Sequence, residues 1–341
     1  MTTATIKFRD ERIDMSHGAG GKASRRLVEG LIAPVLGGGL TLEDAAKLDT
    51  TGPLAFTSDS FVVSPLSFPG GSIGELAVNG TVNDLAVSGA KPLALVTSLI
   101  LEEGLETPVL TRELEALTSA AQKAGVRLVG GDTKVVEHGK ADGLYINSAG
   151  IGVLDARVSL DSSHVQAGDK VILSGPIGDH GITILLARGE LDLEADLTSD
   201  TRSVWPFVED LIEAVPNGLR WMRDPTRGGV ASALNELSRD TNLGIELDET
   251  RIPLHPAVRG ACEILGLDPF HIANEGQFIA IVAADVADQA LAALHNTPGG
   301  QDAQEIGSLT QDHPRTVVSQ TPYGGSRVVD MLVGDPLPRI C

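Results

Sequence analysis

Aromatic side chains are scarce in this sequence: Phe, Trp and Tyr together make up 3% of 341 residues. The core must therefore be built from Leu, Val, Ile and Ala, within a hydrophobic content of 42% that is ordinary for a globular chain. Positive charge is also in deficit. Lys and Arg number 26 against 46 Asp and Glu, a net charge of −20. That balance argues against non-specific binding to nucleic acid or to an anionic membrane. The acidic residues form no long blocks, which is the pattern of a solvated surface. Cysteine is nearly absent. Cys262 and Cys341 do not make a disulfide framework, and there is no CxxC pair. No apolar run is long enough to span a bilayer, and no basic segment followed by an apolar run opens the chain. A reduced, soluble, cytoplasmic protein is expected.

Glycine, by contrast, is plentiful at 39 residues, which points to tight turns and close backbone approaches. The length favours two domains. Strand and helix patterns mingle throughout, so the expected class is α+β. The pattern predicts a strand over 5–16, a glycine-rich loop His17-Gly-Ala-Gly-Gly-Lys22, and a helix presenting Leu27, Leu31, Ile32 and Val35. Two short strands over 54–56 and 61–63 are expected to flank a Ser58-Asp59-Ser60 turn. A helix capped by Ser72 should run to 88, followed by a strand over 93–101, a helix over 111–124, a strand over 126–129 and a strand over 144–154. The composition turns polar from Arg157 to Asp169, which divides the chain into residues 1–157, residues 158–333 and a tail of residues 334–341. Strands over 171–174, 245–247, 278–283, 303–306 and 316–319 and helices over 181–188, 230–239, 256–265 and 286–295 complete the expectation.

Candidate chemistry gathers in a few blocks. Asp44, Asp59, Asp84 and Asp132 fall at element edges or, for Asp84, within a helix. Carboxylates are the hard oxygen ligands that Mg²⁺ takes beside substrate phosphates. Gly130-Gly131 lets backbone N–H groups approach a phosphate, Thr133 offers a hydroxyl and Lys134 a positive charge. The same residues are also good turn formers. His17 and Lys22 could reach a ligand from their loop, although Ala23 stands where a phosphate loop needs Ser or Thr. Arg227, in Asp224-Pro-Thr-Arg-Gly-Gly229, suits an anion at a helix start, with simple capping by Asp224 or Thr226 as the competing reading. Glu275 is a general-base candidate if it is desolvated, and otherwise a turn residue. His180 reads as a turn residue lining a site. Cys341 is the last residue, a thiol beside the α-carboxylate. Termini are usually exposed. Pro336 and Pro338 favour an extended tail, whose eight residues from Gly334 reach roughly 26–29 Å. It could enter a cleft and withdraw.

Together these blocks resemble one family, the hydrogenase maturation factors of the HypE type. They belong to the superfamily of aminoimidazole ribonucleotide synthetase, selenophosphate synthetase and thiamine-monophosphate kinase. The resemblance runs end to end through His17-Gly-Ala-Gly-Gly21, Thr57-Ser-Asp-Ser-Phe61, Asn79-Gly-Thr-Val-Asn-Asp-Leu-Ala86, Gly130-Gly-Asp-Thr-Lys-Val135, Gly178-Asp-His-Gly181, Asp224-Pro-Thr-Arg-Gly-Gly229, Ala273-Asn-Glu-Gly276 and Pro338-Arg-Ile-Cys341. It implies an N-terminal domain that pairs strands across a homodimer and an α/β C-terminal domain. It implies ATP and Mg²⁺, with Asn83, Gly130, Gly131, Thr133 and Lys134 on the nucleotide and Asp44, Asp59, Asp84 and Asp132 on the metal. It implies ATP-dependent dehydration of a carboxamide on Cys341 to a thiocyanate, aided by Lys134, Glu275 and Arg227. HypF would load the thiol, and a HypC–HypD complex would take the cyanide for a [NiFe]-hydrogenase. Two other readings remain: a phosphoryl-transfer enzyme acting on a free small molecule, or a non-catalytic thiol carrier. The terminal Pro-Arg-Ile-Cys speaks against the first and the carboxylate blocks against the second.

Overall fold

Burial alternates residue by residue along Leu144–Leu154, the signature of a strand with one face on a core and one face open. That strand is central to the first of two large sheets, which a small β-ribbon accompanies among the described residues; the computed structural model describes residues 7–19, 21–37, 46–189, 195–332, 334, 337 and 339–341. In chain order the elements are α1 (Gly21–Leu27), a π-helical turn (Val28–Ile32), α2 (Ala33–Val35), β1 (Leu54–Phe61), β2 (Ser67–Phe68), β3 (Gly71–Ser72), α3 (Ile73–Val87), β4 (Ala90–Glu102), α4 (Thr107–Ala124), β5 (Arg127–Val136) and β6 (Leu144–Leu154). The second half adds β7 (Lys170–Leu173), α5 (Asp179–Ala187), α6 (Trp205–Ala214), β8 (Leu219–Arg223), α7 (Gly229–Thr241), β9 (Gly244–Asp248), α8 (Pro256–Leu265), β10 (Ile279–Val282), α9 (Ala287–Asn296), β11 (Gln304–Thr310), β12 (Val317–Gln320) and β13 (Ser326–Val328).

The first sheet has the order β1-β6-β4-β5, and the second the order β13-β12-β9-β11-β7-β10-β8. Only β4–β5 and β12–β9 are parallel among the paired strands described. Helix α3 is buried on nearly every side, because it lies on the first sheet and also packs against α6 and β8 of the second half. Gly74 allows its neighbour α4 to come close: a Cβ there would sit 2.2 Å from the Glu113 carbonyl oxygen. Helix α4 ends at Gly125, whose φ of 69° is left-handed and lets its N–H reach the carbonyls of Ala121 and Gln122.

Three expectations need correction. Residues 7–10 form no strand, and Arg12 makes only an isolated bridge to Glu106. Ser58-Asp59-Ser60 is not a turn. It lies inside a continuous β1, where Ser58 pairs with Ala149, Asp59 with Ser148 and Ser60 with Asn147. The Gly130–Lys134 block likewise continues β5 and does not loop out. A Cβ on Gly131 would lie 2.0 Å from the Thr97 carbonyl oxygen, so this glycine is needed for two strands to pair. The sequence pattern signals neither helix α6 nor strands β2, β3, β8 and β13.

Candidate active site

The register of the first sheet sorts the predicted carboxylates onto opposite faces. Ser148, buried, donates to the Ala77 carbonyl of α3, and Asp59 is its partner across the ladder. Asp59 therefore faces α3. There it approaches Asp84, whose Oδ2 accepts a 2.7 Å hydrogen bond from the Thr57 hydroxyl. Asp132 instead shares a row with Ser98, Asn147 and Ser60 on the open face. Its Oδ2 lies 2.7 Å from Lys134 Nζ. This hydrogen-bonded ammonium holds the Asp132 carboxyl below the usual range. Asp44 lies outside the described residues. Among the described residues no group of three or more His, Cys, Asp or Glu side chains is arranged to hold a metal ion. Asp59 and Asp84 are thus not brought together with Asp132 within the described chain.

A different acidic group gathers between the two halves. Asp84 and Asp224 line a cavity of about 430 Å³ with Phe56, Thr57 and Arg223. Burial, and then the neighbouring Asp84, push the Asp224 carboxyl up to about 7. Asp84 is raised by burial and by Asp59, against the Thr57 hydrogen bond. Glu275 is buried, and its carboxyl is raised well above its usual value by desolvation, then by the fields of Asp200, Asp224, Asp59 and Asp84. Glu275 is therefore the desolvated acid that the base reading requires. Crowded carboxylates of this kind are the hard donors that suit a divalent cation, which would relieve their repulsion.

Asn83 has another task than the one its motif implied. Its Nδ2 donates to the carbonyls of Arg202 and Glu275, both at 3.0 Å, and its Oδ1 accepts from Val204 N–H at 2.8 Å. The side chain is 1% exposed, so no donor or acceptor faces a nucleotide. It fastens α3 to the second half. His17 is also committed: buried, it accepts from Asp14 N–H at Nδ1 and meets Asp10 at Nε2. Lys22 and Arg227 are exposed. Gly18 packs against Val135 at the end of β5, which brings the glycine-rich segment close to Lys134.

The tail is seated, contrary to the expectation of an exposed end. Val62 N–H donates to a main-chain oxygen of Cys341 at 3.0 Å and Ser64 N–H to the Arg339 carbonyl at 3.4 Å. The Arg339 guanidinium donates to the Val62 carbonyl, pairs with Asp142 and lies over Tyr145. Leu337 and Ile340 are buried in the cluster that joins the two halves. Burying such side chains is worth about 1.5–3 kcal/mol each, enough to hold a terminus that would otherwise fray. Pro336 and Pro338 lie outside the described residues. Val62 is three residues from Asp59 along the chain, so the end of the tail comes within about 10 Å of the acidic group.

Comparisons with known proteins agree with this architecture. Residues 42–154 match the family described as AIR synthase related protein, N-terminal domain, and residues 166–319 its C-terminal domain. The chain is similar to carbamoyl dehydratase HypE of Bradyrhizobium diazoefficiens, 46% identical over 98% of each chain. A crystal structure of the hydrogenase maturation protein HypE in complex with ATP superposes with a TM-score of 0.91 at 42% identity, covering 96% of this chain and 99% of that one. HypE in a crystal structure of a HypE–HypF complex superposes at 0.78 with 42% identity, over 82% and 90% of the two chains.

Proposed function

We propose, from the premise that the chain belongs to the HypE carbamoyl dehydratases among the AIR synthase related proteins, that it dehydrates a carboxamide carried on Cys341 to a thiocyanate at the expense of ATP. The observation that carries this reading is the seat of the tail, which puts a main-chain oxygen of Cys341 on Val62 N–H at the end of the strand bearing Asp59.

The carboxamide oxygen attacks the γ-phosphorus of ATP, and ADP leaves. The amide N–H protons are then removed as the C–O bond breaks, releasing phosphate and leaving the C≡N bond on sulfur. Phosphoryl transfer mainly needs positioning and charge neutralisation. Lys134 is the cation for that purpose on the open face. Asp59 and Asp84 would hold Mg²⁺ together with the nucleotide's own phosphates, and the bound ion would neutralise phosphate charge. Glu275 takes the amide protons. Its desolvation makes it a stronger base than an exposed carboxylate. Arg227, exposed just ahead of α7, meets the released phosphate.

The open face of the first sheet is the proposed contact for a second copy of the chain. It exposes Leu54, Phe56 and Val96, with Phe56 73% accessible, beside the polar row that ends at Asp132. A second copy closing over this apolar area would enclose Lys134 and Asp132, making the active form a homodimer. HypF is the proposed carbamoyl donor, supported by the HypE–HypF complex of the relative. A HypC–HypD complex in the cytoplasm is the proposed cyanide acceptor. The test is ADP release by full-length protein with and without carbamoyl on Cys341. Release that depends on the carbamoyl group is expected. Turnover that ignores it, or that requires an added small molecule, would favour a free-substrate enzyme.

A further inference from the structure

His180 is the residue whose placement the reaction above does not use. It sits at the start of α5, is 0% exposed, and bonds through both ring nitrogens. Nε2 lies 2.7 Å from the Ile340 carbonyl oxygen. A carbonyl only accepts, so Nε2 carries the proton. In a neutral ring Nδ1 is then an acceptor, and the Ser199 hydroxyl donates to it at 2.8 Å. Ser199 Oγ in turn accepts from Thr201 N–H at 3.1 Å, which fixes its direction. Burial favours the neutral ring, in agreement with this tautomer. Phe68 meets the imidazole edge-on and limits its rotation.

The next residue carries the contact onward. Asp200 accepts from Glu275 N–H at 3.0 Å through Oδ1 and from Gly276 N–H at 3.2 Å through Oδ2. Gly276 packs against the Asp200 carbonyl so closely that a Cβ would approach to 1.8 Å. The Ser199-Asp200 pair therefore holds the His180 imidazole with one residue and the backbone of Glu275 with the next. Ser199 N–H also donates to the Pro69 carbonyl at 2.9 Å, which anchors the pair to the first half of the molecule.

We propose that His180 is a positioning residue that seats the C-terminal tail, linking the Ile340 carbonyl through Ser199 and Asp200 to the segment that carries Glu275. The proposal deepens the dehydration reading, since it rests on Cys341 carrying the substrate. Arg188 is a second clasp on the same tail, donating to the Ser64 carbonyl at 3.1 Å and to the Arg339 carbonyl at 2.9 Å. The imidazole differs from it in reaching the core side of the tail, where water cannot replace the lost donor. Its removal leaves the Ile340 carbonyl buried and unpaired.

The experiment is release of Cys341 by carboxypeptidase Y from the full-length protein, followed by mass spectrometry. Digestion requires the last residues to leave their seat, so its rate reports the undocked population. His180→Leu should speed release about tenfold, the effect of losing one buried hydrogen bond. It should also slow thiocyanate formation while leaving the KM for ATP unchanged. His180→Gln places an amide N–H where Nε2–H stood, and should restore slow release and thiocyanate formation. A merely space-filling His180 would be rescued by Leu rather than by Gln. A folded His180→Leu protein with wild-type release would overturn the proposal. Should that variant fail to fold, Ser199→Ala decides. It keeps the ring but removes the hydroxyl that orients it, so faster release is expected and an unchanged rate overturns the proposal. Digestion needs neither ATP nor a carbamoyl group. A latch that responds while dehydration fails would therefore reject the functional reading alone.

Discussion

Replacing Asn83 with Ala separates a structural cross-link from a nucleotide ligand. The side chain makes three hydrogen bonds to the backbone of Arg202, Val204 and Glu275 and is buried. Ala removes all three and leaves two carbonyls and one N–H without partners. Each such group costs about 1–3 kcal/mol. Water entering the vacated space would satisfy part of the loss, which leaves a net cost of about 3 kcal/mol. At about 1.4 °C per kcal/mol for a chain of 341 residues, the melting temperature should fall by roughly 4 °C. Thermal melts and calorimetric titration with ATP and Mg²⁺ read the two effects on one preparation. Retained ATP affinity is expected at temperatures where the variant is folded. A normal melt with lost ATP binding would refute this reasoning and return Asn83 to the nucleotide.

Lys134→Ala should suppress ADP formation even with carbamoylated Cys341, whereas Glu275→Gln should keep ATP binding and slow thiocyanate formation by about 10²–10⁴-fold; a folded Glu275→Gln protein of normal rate would remove the base assignment. Asp224 carries a carboxyl raised to about 7 in the folded protein from 3.8, so the folded state binds more protons than the unfolded state between these values. Its contribution to stability is therefore lost as pH rises from about 4 to 7, and Asp224→Asn should flatten that decline in melts taken across the window. Asp84→Asn and Asp132→Asn should each weaken ATP binding in Mg²⁺, because each removes a charge from the nucleotide site; calorimetry showing unchanged affinity in both would reject them.

The elements with strong periodicity were legible in the sequence. Leu144–Leu154 and Pro256–Leu265 fall where their patterns place them, and Ile73–Val87 begins after the predicted Ser72. What failed was local turn chemistry set against strand pairing. Ser58-Asp59-Ser60 and Gly130-Gly131-Asp132 look like turns because Ser, Gly and Asp favour them. Their pairing with β6 and β4 is a long-range fact that no local window contains. The same pairing sends Asp59 and Asp132 to opposite faces, which a list of acidic residues could not show. The blocks carrying the family resemblance were recognisable, but the roles of Asn83 and His180 were not. Asn83 bonds to residues 119 and more positions away, and His180 to a carbonyl 160 positions away. The seated tail did leave a signal: Leu337 and Ile340 are apolar residues in a segment otherwise suited to solvent, and both are buried.

The central claim is that the chain acts on its own last residue. Its most direct measurement is the mass of the C-terminal peptide after full-length protein, carbamoylated on Cys341, is incubated with ATP and Mg²⁺. This peptide should lose the mass of one water, the loss should require ATP, and Cys341→Ala should yield no such product while still binding ATP. ATP turnover with the carboxamide on Cys341 left intact, or a cyano group appearing on another residue of Cys341→Ala, would contradict it.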